Sequence, residues 1–346
     1  MDRTKGSPLR GHVAAYQSIM NAIKMRPAHS WILHGPSGIG KTTFAVQIAK
    51  YLLSFSARDQ TRGFWECIAQ KSSANHLVEI NNHPDFLLLT PEEQNSSSSQ
   101  YLIEDIRRIQ NFARKTSTQG LYRVIVIEEA ENMTRQAANA LLKVLEEPPQ
   151  NVFIFLITHR LGALLPTVRS RGQKLAFFPL PHKEFLEHFS ERSEKEILFQ
   201  LFQLSEGRIG FAHKLIEEGG LALYEAVLRL CGAAMQEDNL GNVFQEFLRS
   251  HGAKNMTVQL PLIQELIFLF LKRTLAFRGF LETPRTFLEK EKEIMSAFYQ
   301  KWKVGDLWQI WTIVSEKFQV QRDFHLDPTH LLINTFFYLG NCQKAY

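Results

Sequence analysis

The chain has 346 residues, of which 45% are hydrophobic and 22% charged, and its 40 Lys and Arg residues exceed its 35 Asp and Glu residues to give a net charge of +5. With 19 Gly, 13 Pro and 26 Phe residues, this composition excludes a collagen-like or wholly disordered chain and leaves room for two or three packed domains. Because the three cysteines are widely spaced, we expect no disulfides. No apolar run follows the basic start, and no apolar stretch reaches about 20 residues, so we expect neither export nor a membrane span. Together these features favour a cytoplasmic protein.

Up to about residue 178, short β-rich apolar segments alternate with longer helical ones. This alternation predicts an α/β domain in which a parallel sheet is covered by helices on both faces. One expected strand, Arg123–Ile127, is almost entirely β-branched, which is typical of a strand buried on both faces and predicts a central position. The expected strands are Trp31–His34, Phe86–Leu89, Arg123–Ile127, Val152–Ile157 and Gln173–Phe177.

Strand signals stop at Pro179, and helical spacing continues from there to the end of the chain. We expect a small helical domain over residues 179–218, and then, after the break at Gly219-Gly220, an all-helical domain over residues 219–346. The expected helices are Glu194–Leu204, a helix opening at Gly207, Leu221–Met235, Val243–Ser250, Gln259–Phe277, Phe287–Trp302, Leu307–Val320 and Thr329–Leu339.

Residues 35–42, Gly-Pro-Ser-Gly-Ile-Gly-Lys-Thr, match a phosphate-binding loop that follows a strand and opens a helix. Its glycines let backbone N–H groups approach a phosphate, Lys41 supplies positive charge, and the Thr42 hydroxyl is a candidate Mg²⁺ ligand. A glycine-rich turn with a chance lysine is the alternative, but the flanking strand and helix favour ATP binding. The residues expected to contact the nucleotide are Gly35, Pro36, Ser37, Gly38, Ile39, Gly40, Lys41, Thr42 and Thr43.

Acidic residues follow the strand Arg123–Ile127 directly. We expect Glu128 to hold Mg²⁺ together with Thr42, and Glu129 to polarise an attacking water. An apolar strand that ends in acids also describes an ordinary solvated strand end. After a phosphate-binding loop, however, the pair indicates the second half of a nucleotide site.

Together these motifs resemble the AAA+ ATPases of the DNA clamp-loader family. The resemblance covers about residues 8–215, and its most specific element is the block Asn139–Pro149. It implies an AAA+ nucleotide-binding domain over residues 1–178, a helical lid over 179–218 and an all-α collar for hetero-oligomerisation over 219–346. The segments that carry it are Gly11-His12, residues 35–42, His83–Phe86, Ile103–Arg107, Glu128, Ala138–Pro149 and Leu164–Arg171.

The resemblance also implies roles for two further residues. Thr158 resembles the sensor that responds to the γ-phosphate, and Arg171 resembles an arginine finger that acts in trans on ATP held by a neighbouring subunit. The implied function is ATP-dependent loading of the sliding clamp onto primed DNA during DNA replication. The implied partners are the motor and clamp-opening subunits, the clamp through the complex, and DNA through its backbone, with no membrane and no polymerase site in this chain.

Three departures from the family pattern refine these expectations. Most members carry four zinc-binding cysteines, whereas only Cys67 is present in that region, so we expect no zinc. Glu128 stands where the family usually has Asp. Gly210 stands where motor subunits have Arg, which favours a stationary subunit that donates a finger and hydrolyses little or no ATP itself.

Several alternatives stay open at this stage. An active motor subunit is opposed by Gly210, and a P-loop kinase would leave the block Asn139–Pro149 unexplained. A branch-migration helicase is expected to end in a compact winged-helix domain rather than in long helices. For contacts to DNA phosphates, the candidates lie on one predicted helix and are Arg107, Arg108, Arg114 and Lys115.

Overall fold

The structure, a computed structural model, describes residues 12–25, 29–54, 72–91, 100–118, 121–190, 195–236, 239–252, 256–279, 289–324 and 326–341. The chain forms two compact units. The first comprises Met1–His188 with Gly207–Phe211, and the second comprises Phe189–Glu206 with Ala212–Tyr346. The division into three domains at residues 178 and 218 remains a prediction.

A five-stranded parallel sheet forms the centre of the first unit. In chain order its strands are β1 (Ser30–His34), β2 (Phe86–Leu89), β3 (Arg123–Ile127), β4 (Val152–Thr158) and β5 (Gln173–Ala176). Their spatial order is β2-β3-β4-β1-β5, and every neighbouring pair is parallel. The predicted α/β fold class is confirmed, and each predicted strand lies within one residue of an observed one at either end.

The predicted central position of β3 is wrong. The middle of the sheet is β4, and β3 lies one place to its side, between β2 and β4. All seven residues of β4 and all five of β3 are buried. A strand that is covered on both faces is rich in apolar β-branched and aromatic residues wherever it lies inside the sheet. The composition of a strand therefore indicates that it is buried, but it does not indicate its position in the strand order.

Helices cover both faces of this sheet because successive strand residues point to opposite sides. In β1, Trp31 and Leu33 pack in a cluster with the first two helices, whereas Ile32 packs in the opposite cluster with the helices that follow β2 and β3. The helices of this unit are α1 (Val13–Met25), α2 (Lys41–Ser54), α3 (Ser73–Glu79), α4 (Ile103–Arg114), α5 (Arg135–Glu146), α6 (Pro166–Arg169) and α7 (His182–Phe189).

All secondary-structure elements described in the second unit are helices. Helix α10 packs against four others, namely α11, α12, α13 and α15. No described helix is long and apolar enough to cross a membrane. The observed bounds are α8 (Lys195–Ser205), α9 (Ile209–Glu217, with its first turn in the first unit), α10 (Gly220–Met235), α11 (Leu240–His251), α12 (Met256–Gly279), α13 (Glu289–Lys301), α14 (Val304–Phe324) and α15 (Pro328–Gly340).

Candidate nucleotide-binding site

The phosphate-binding loop connects β1 to α2 and requires glycine at three positions. Gly35, Gly38 and Gly40 have φ values of 147°, 76° and 91°, a backbone region that L-residues rarely adopt. A Cβ atom at Gly35 would overlap the carbonyl oxygen of Phe177. The loop conformation expected from the sequence is therefore built into the fold.

Lys41 is 3% exposed, and its ammonium group is enclosed by acceptors. Its Nζ donates to the carbonyl oxygens of Gly35 at 2.7 Å and Pro36 at 2.6 Å, and contacts Nδ1 of His159 at 3.1 Å. Burial lowers the pKa of Lys41 to about 8, while the nearby acids, Glu131 foremost, act in the opposite direction. The lysine is thus a desolvated cation already oriented at the loop.

The residues expected to hold Mg²⁺ come together at the end of β3. Thr42 Oγ1 donates a hydrogen bond to Oε1 of Glu128, a side chain that is 5% exposed. A hydroxyl and a carboxylate that converge in this way are the oxygen ligands that Mg²⁺ prefers. The pair therefore fits the ion, and the extra methylene of Glu128 relative to Asp does not prevent it from reaching Thr42.

Glu129 and Thr158 lie at the same edge, because carboxyl ends of parallel strands meet there. Glu129 has a left-handed backbone with φ 44°, and its carboxylate accepts from Asn132 Nδ2 at 2.9 Å. Thr158 pairs with His34 in the sheet and is fully buried, and its Oγ1 accepts the backbone N–H of Arg160 at 3.1 Å. Both residues were predicted to belong to the site, and both lie at its edge of the sheet.

The sequence reasoning missed His159. Besides its contact with Lys41, its Nε2 lies 3.8 Å from Oε1 of Glu129, and its backbone N–H donates to Oε1 of Glu131 at 2.9 Å. His159 could have been found from the sequence because it is a titratable residue directly after a buried strand of a parallel sheet. Ligands bind outside the carboxyl ends of such strands, so residues at this position are candidates for the site.

His12 supports the phosphate-binding loop from α1's side. Its Nε2 lies 3.2 Å from the carbonyl oxygen of Ile39, and its ring centroid lies 4.8 Å from that of Phe177. Burial lowers the pKa of His12. Of the Gly11-His12 part of the motif set, Gly11 lies outside the described residues, and His12 contributes a neutral, packed imidazole that contacts the loop.

Arg171 does not lie with the other predicted catalytic residues. Its carbonyl oxygen accepts from Ser30 Oγ at 2.6 Å, and Ser30 is the first residue of β1, whereas the loop follows the last. Four residue steps of roughly 3.3 Å separate these two ends by about 13 Å. The guanidinium pairs with Glu146 at 2.5 Å and donates to the Thr167 carbonyl at 2.9 Å.

Gly210 packs directly on the phosphate-binding loop within the first unit. Its N–H donates to the carbonyl oxygen of Gly38 at 2.7 Å. A Cβ atom added at Gly210 would lie 3.0 Å from that oxygen and 3.2 Å from the Gly38 Cα, which is closer than ordinary packing allows. Arg208, the nearest arginine in sequence, instead covers the ring of Phe211, with Cζ 4.3 Å from its centroid.

A second cluster, at the amino edge of the sheet, gives the His83-Pro-Asp motif a structural role. Asp85 is fully buried and pairs with Arg123 at 3.1 Å, and it also accepts the N–H of Thr118. His83 Nδ1 accepts the Asp85 N–H at 3.1 Å. These contacts join the approach to β2 to the start of β3.

Basic side chains of α4 and of Lys115, the residue after it, line a surface cavity of about 600 Å³ next to this cluster. Arg107, Arg108 and Lys115 contribute to its wall, together with the buried His83. Glu104 lies 3.7 Å from Arg107, so one of these charges is partly balanced. Arg114 is exposed on the same helix but is not among the residues that line the cavity.

The expected absence of zinc stays a prediction. Cys67 lies outside the described residues. Within the part of the chain that the structure describes, no group of three or more His, Cys, Asp or Glu residues is arranged to hold a metal ion.

Comparison with known proteins agrees with the motif pattern. The family model described as DNA polymerase III, delta subunit, matches residues 11–181. The DNA polymerase III subunit delta' of Pseudomonas aeruginosa is 36% identical over 197 residues, covering 56% of this chain and 57% of that protein. The corresponding subunit of Bacillus subtilis is 31% identical over 169 residues, covering 49% and 48%.

A gamma subunit also matches. The DNA polymerase III subunit gamma of Buchnera aphidicola is 29% identical over 196 residues, covering 55% of this chain and 51% of that protein. The chain spans about half the length of the curated relatives it matches. Through these matches, residues 11–181 are similar to the delta-subunit family model, and the chain is similar to delta' and gamma subunits of bacterial DNA polymerase III.

Proposed function

We propose that the chain acts as the delta-prime subunit of a clamp loader, and that it donates Arg171 to ATP bound by an adjacent subunit. The observation that carries this proposal is the position of Arg171 at the amino edge of the sheet, whereas the loop lies at the carboxyl edge. An arginine on the far side of its own sheet cannot serve its own nucleotide. It is exposed and held by one carboxylate, Glu146, so a neighbour can reach it.

The chain's own site would bind ATP with Mg²⁺. The loop glycines would present backbone N–H groups to the phosphates, Lys41 would neutralise them, and Thr42 with Glu128 would hold the ion. When bound, Mg²⁺ would supply charge neutralisation between the phosphates. Glu129 and Thr158 are the remaining groups at this edge that could act on a water or a terminal phosphate.

Hydrolysis at this site would be weak or absent. The motor-subunit arginine that would contact the nucleotide from the lid is replaced by Gly210, whose backbone packs on Gly38. An arginine finger from another subunit would also be needed. This reasoning favours the delta-prime function over the motor function that the gamma-type relative raises as an alternative.

The partners follow from the same function. The chain would assemble with gamma or tau motor subunits and with delta, and through the complex it would act on the sliding clamp. The basic residues of α4, with Arg107 and Arg108 on the cavity wall, would contact the phosphates of primed DNA. The helical second unit would supply the contacts between subunits.

The test is reconstitution of the complete complex with an Arg171→Ala chain. We expect assembly to be unchanged and clamp loading to fall by at least about tenfold, since an arginine finger contributes roughly 10³-fold or more at its own site and other motor sites mask part of the loss. The matched control is Arg169→Ala, two residues earlier in α6. Wild-type loading by an assembled Arg171→Ala complex would refute the finger.

A further inference from the structure

We propose that His159, rather than Thr158, is the residue that responds to the terminal phosphate, by holding Lys41 until that phosphate replaces it. The inference rests on the proposed binding of ATP at the loop. It assigns a positioning function to a residue that the motif pattern leaves without one.

All three N–H donors of the Lys41 ammonium group have acceptors in the structure. An ammonium group has three N–H donors, and Lys41 has three acceptors, namely the carbonyls of Gly35 and Pro36 and Nδ1 of His159. The two carbonyls belong to the loop backbone, whose conformation is fixed by its glycines. The imidazole is the one acceptor that belongs to a side chain outside the loop, so it can rotate away when a phosphate oxygen beyond the loop takes its donor.

The contact with Lys41 determines which ring nitrogen of His159 carries the proton. Because Lys41 donates to Nδ1, this nitrogen carries a lone pair, and the ring proton lies on Nε2. Nε2 faces the carboxylate of Glu129 at 3.8 Å. The backbone N–H is anchored by Glu131 at 2.9 Å. The ring therefore connects the phosphate-binding lysine to the residue expected to polarise water.

His159 and Thr158 are neighbours at the end of β4 but differ in burial and in contacts. The Thr158 side chain is fully buried and its hydroxyl oxygen accepts the N–H of Arg160. His159 is partly exposed and reaches Lys41 across 118 residues of sequence. At the end of β4, contact with the phosphate-binding lysine is therefore made by the histidine.

These contacts predict that His159 responds differently to ADP and to ATP. In P-loop proteins the lysine contacts the β-phosphate and the γ-phosphate. With ADP, the β-phosphate would lie inside the loop and take a donor from one of the two loop carbonyls, so Lys41 would keep its bond to His159. With ATP, the γ-phosphate takes the donor that His159 held, and the ring is released towards Glu129. The position of His159 thus depends on whether a third phosphate is present.

The test measures the affinities of the full chain for ADP and for a non-hydrolysable ATP analogue by calorimetry. His159→Ala removes the bond that the γ-phosphate has to break, so the analogue should bind about fivefold to tenfold more tightly while ADP affinity is unchanged. His159→Asn keeps an acceptor at the Nδ1 position and should restore the wild-type ratio of affinities. His159→Gln places its amide at the Nε2 position and should behave like His159→Ala.

A second readout is the ¹⁵N signal of the His159 ring, assigned by its loss in His159→Asn. The analogue should shift the Nδ1 signal, and ADP should not. Arg160→Ala, an exposed neighbour, is the control and should leave the ratio of affinities unchanged.

Any of three results would overturn the inference and leave the proposed nucleotide site standing. The affinities for ADP and for the analogue could change equally in His159→Ala, or the Nδ1 signal could stay unchanged when the analogue binds. The ratio of the two affinities could also change in Thr158→Val and not in His159→Ala. If the wild-type chain binds neither nucleotide, the proposed nucleotide site itself is wrong, and the inference fails with it. The two kinds of failure are therefore distinguishable.

Discussion

At the two edges of the central sheet, the candidate nucleotide site and the Arg171–Glu146 pair hold their charged residues in opposite ways. At the carboxyl edge, Lys41 and Glu128 are almost completely buried, and their contacts are with other groups of the same edge. At the amino edge, the Arg171 guanidinium and its partner Glu146 are 34% and 45% exposed. At the carboxyl edge, buried groups that contact one another form a candidate site for the chain's own ligand, whereas the exposed Arg171 guanidinium, held by Glu146 and the Thr167 carbonyl, is accessible to another molecule.

The sharpest way to break this contrast is to remove Lys41. Lys41→Ala deletes the buried cation that faces the phosphates, so nucleotide affinity should fall by at least about 100-fold because charge-assisted hydrogen bonds are lost. Calorimetry with ATP and Mg²⁺ measures the change. The matched control is Lys50→Met in the same helix, where a buried lysine pairs with Glu79 at 2.7 Å. It should lower stability and leave binding intact.

Gly35→Ala tests whether the carboxyl edge depends on the loop backbone. The added methyl group would meet the Phe177 carbonyl at a positive φ, so the free energy of unfolding should fall by about 2 kcal/mol or more. Gly162→Ala, where a Cβ has open space, should change it by less than about 0.5 kcal/mol. Denaturant titrations of both variants give the comparison, and equal losses would contradict it.

A pH titration sharpens the comparison at the amino edge. Burial lowers the pKa of His83 from its usual value of 6.5, with Asp85 opposing, so the folded state favours the neutral ring. The unfolded chain then binds the proton more readily, and stability should fall as pH drops below about 6.5. Thermal unfolding at pH 7.5 and 5.5 measures this fall. His83→Asn keeps an acceptor for the Asp85 N–H and should reduce the fall, and an unchanged pH dependence would exclude His83.

The smallest effect is expected at the exposed pair. Glu146→Gln removes the charge that faces Arg171, but exposed ion pairs contribute little, so the free energy of unfolding should change by less than about 1 kcal/mol. Denaturant titration of the purified chain measures it. A loss of several kcal/mol would mean that Arg171 is a structural residue, and the contrast between the two edges would fail.

Local patterns in the sequence predicted much of this molecule. The strands, the phosphate-binding loop and Glu128 could be predicted because each depends on neighbouring residues, such as the apolar run 124–127 with acids directly after it. The place of β4 in the middle of the sheet could not be predicted, since every interior strand has the same apolar composition.

The features that could not be predicted from the sequence depend on contacts between segments that are far apart in the chain. The bond from His159 to Lys41 exists because β4 pairs with β1, a fact of strand order that is absent from either local segment. The contact between Gly210 and Gly38 joins segments that no periodicity connects. The Gly210 position was identified by family resemblance, but its packing on the loop required the structure.

The contact between Gly210 and Gly38 has a consequence for substitution. A segment without a side chain at position 210 lets two backbones touch, and the Gly210 N–H then donates to the Gly38 carbonyl oxygen at 2.7 Å. Any side chain at position 210 would require the phosphate-binding loop to shift by a few tenths of an ångström, because a Cβ there lies 3.0 Å from the Gly38 oxygen. Position 210 therefore couples the start of α9 to the conformation of the phosphate-binding loop.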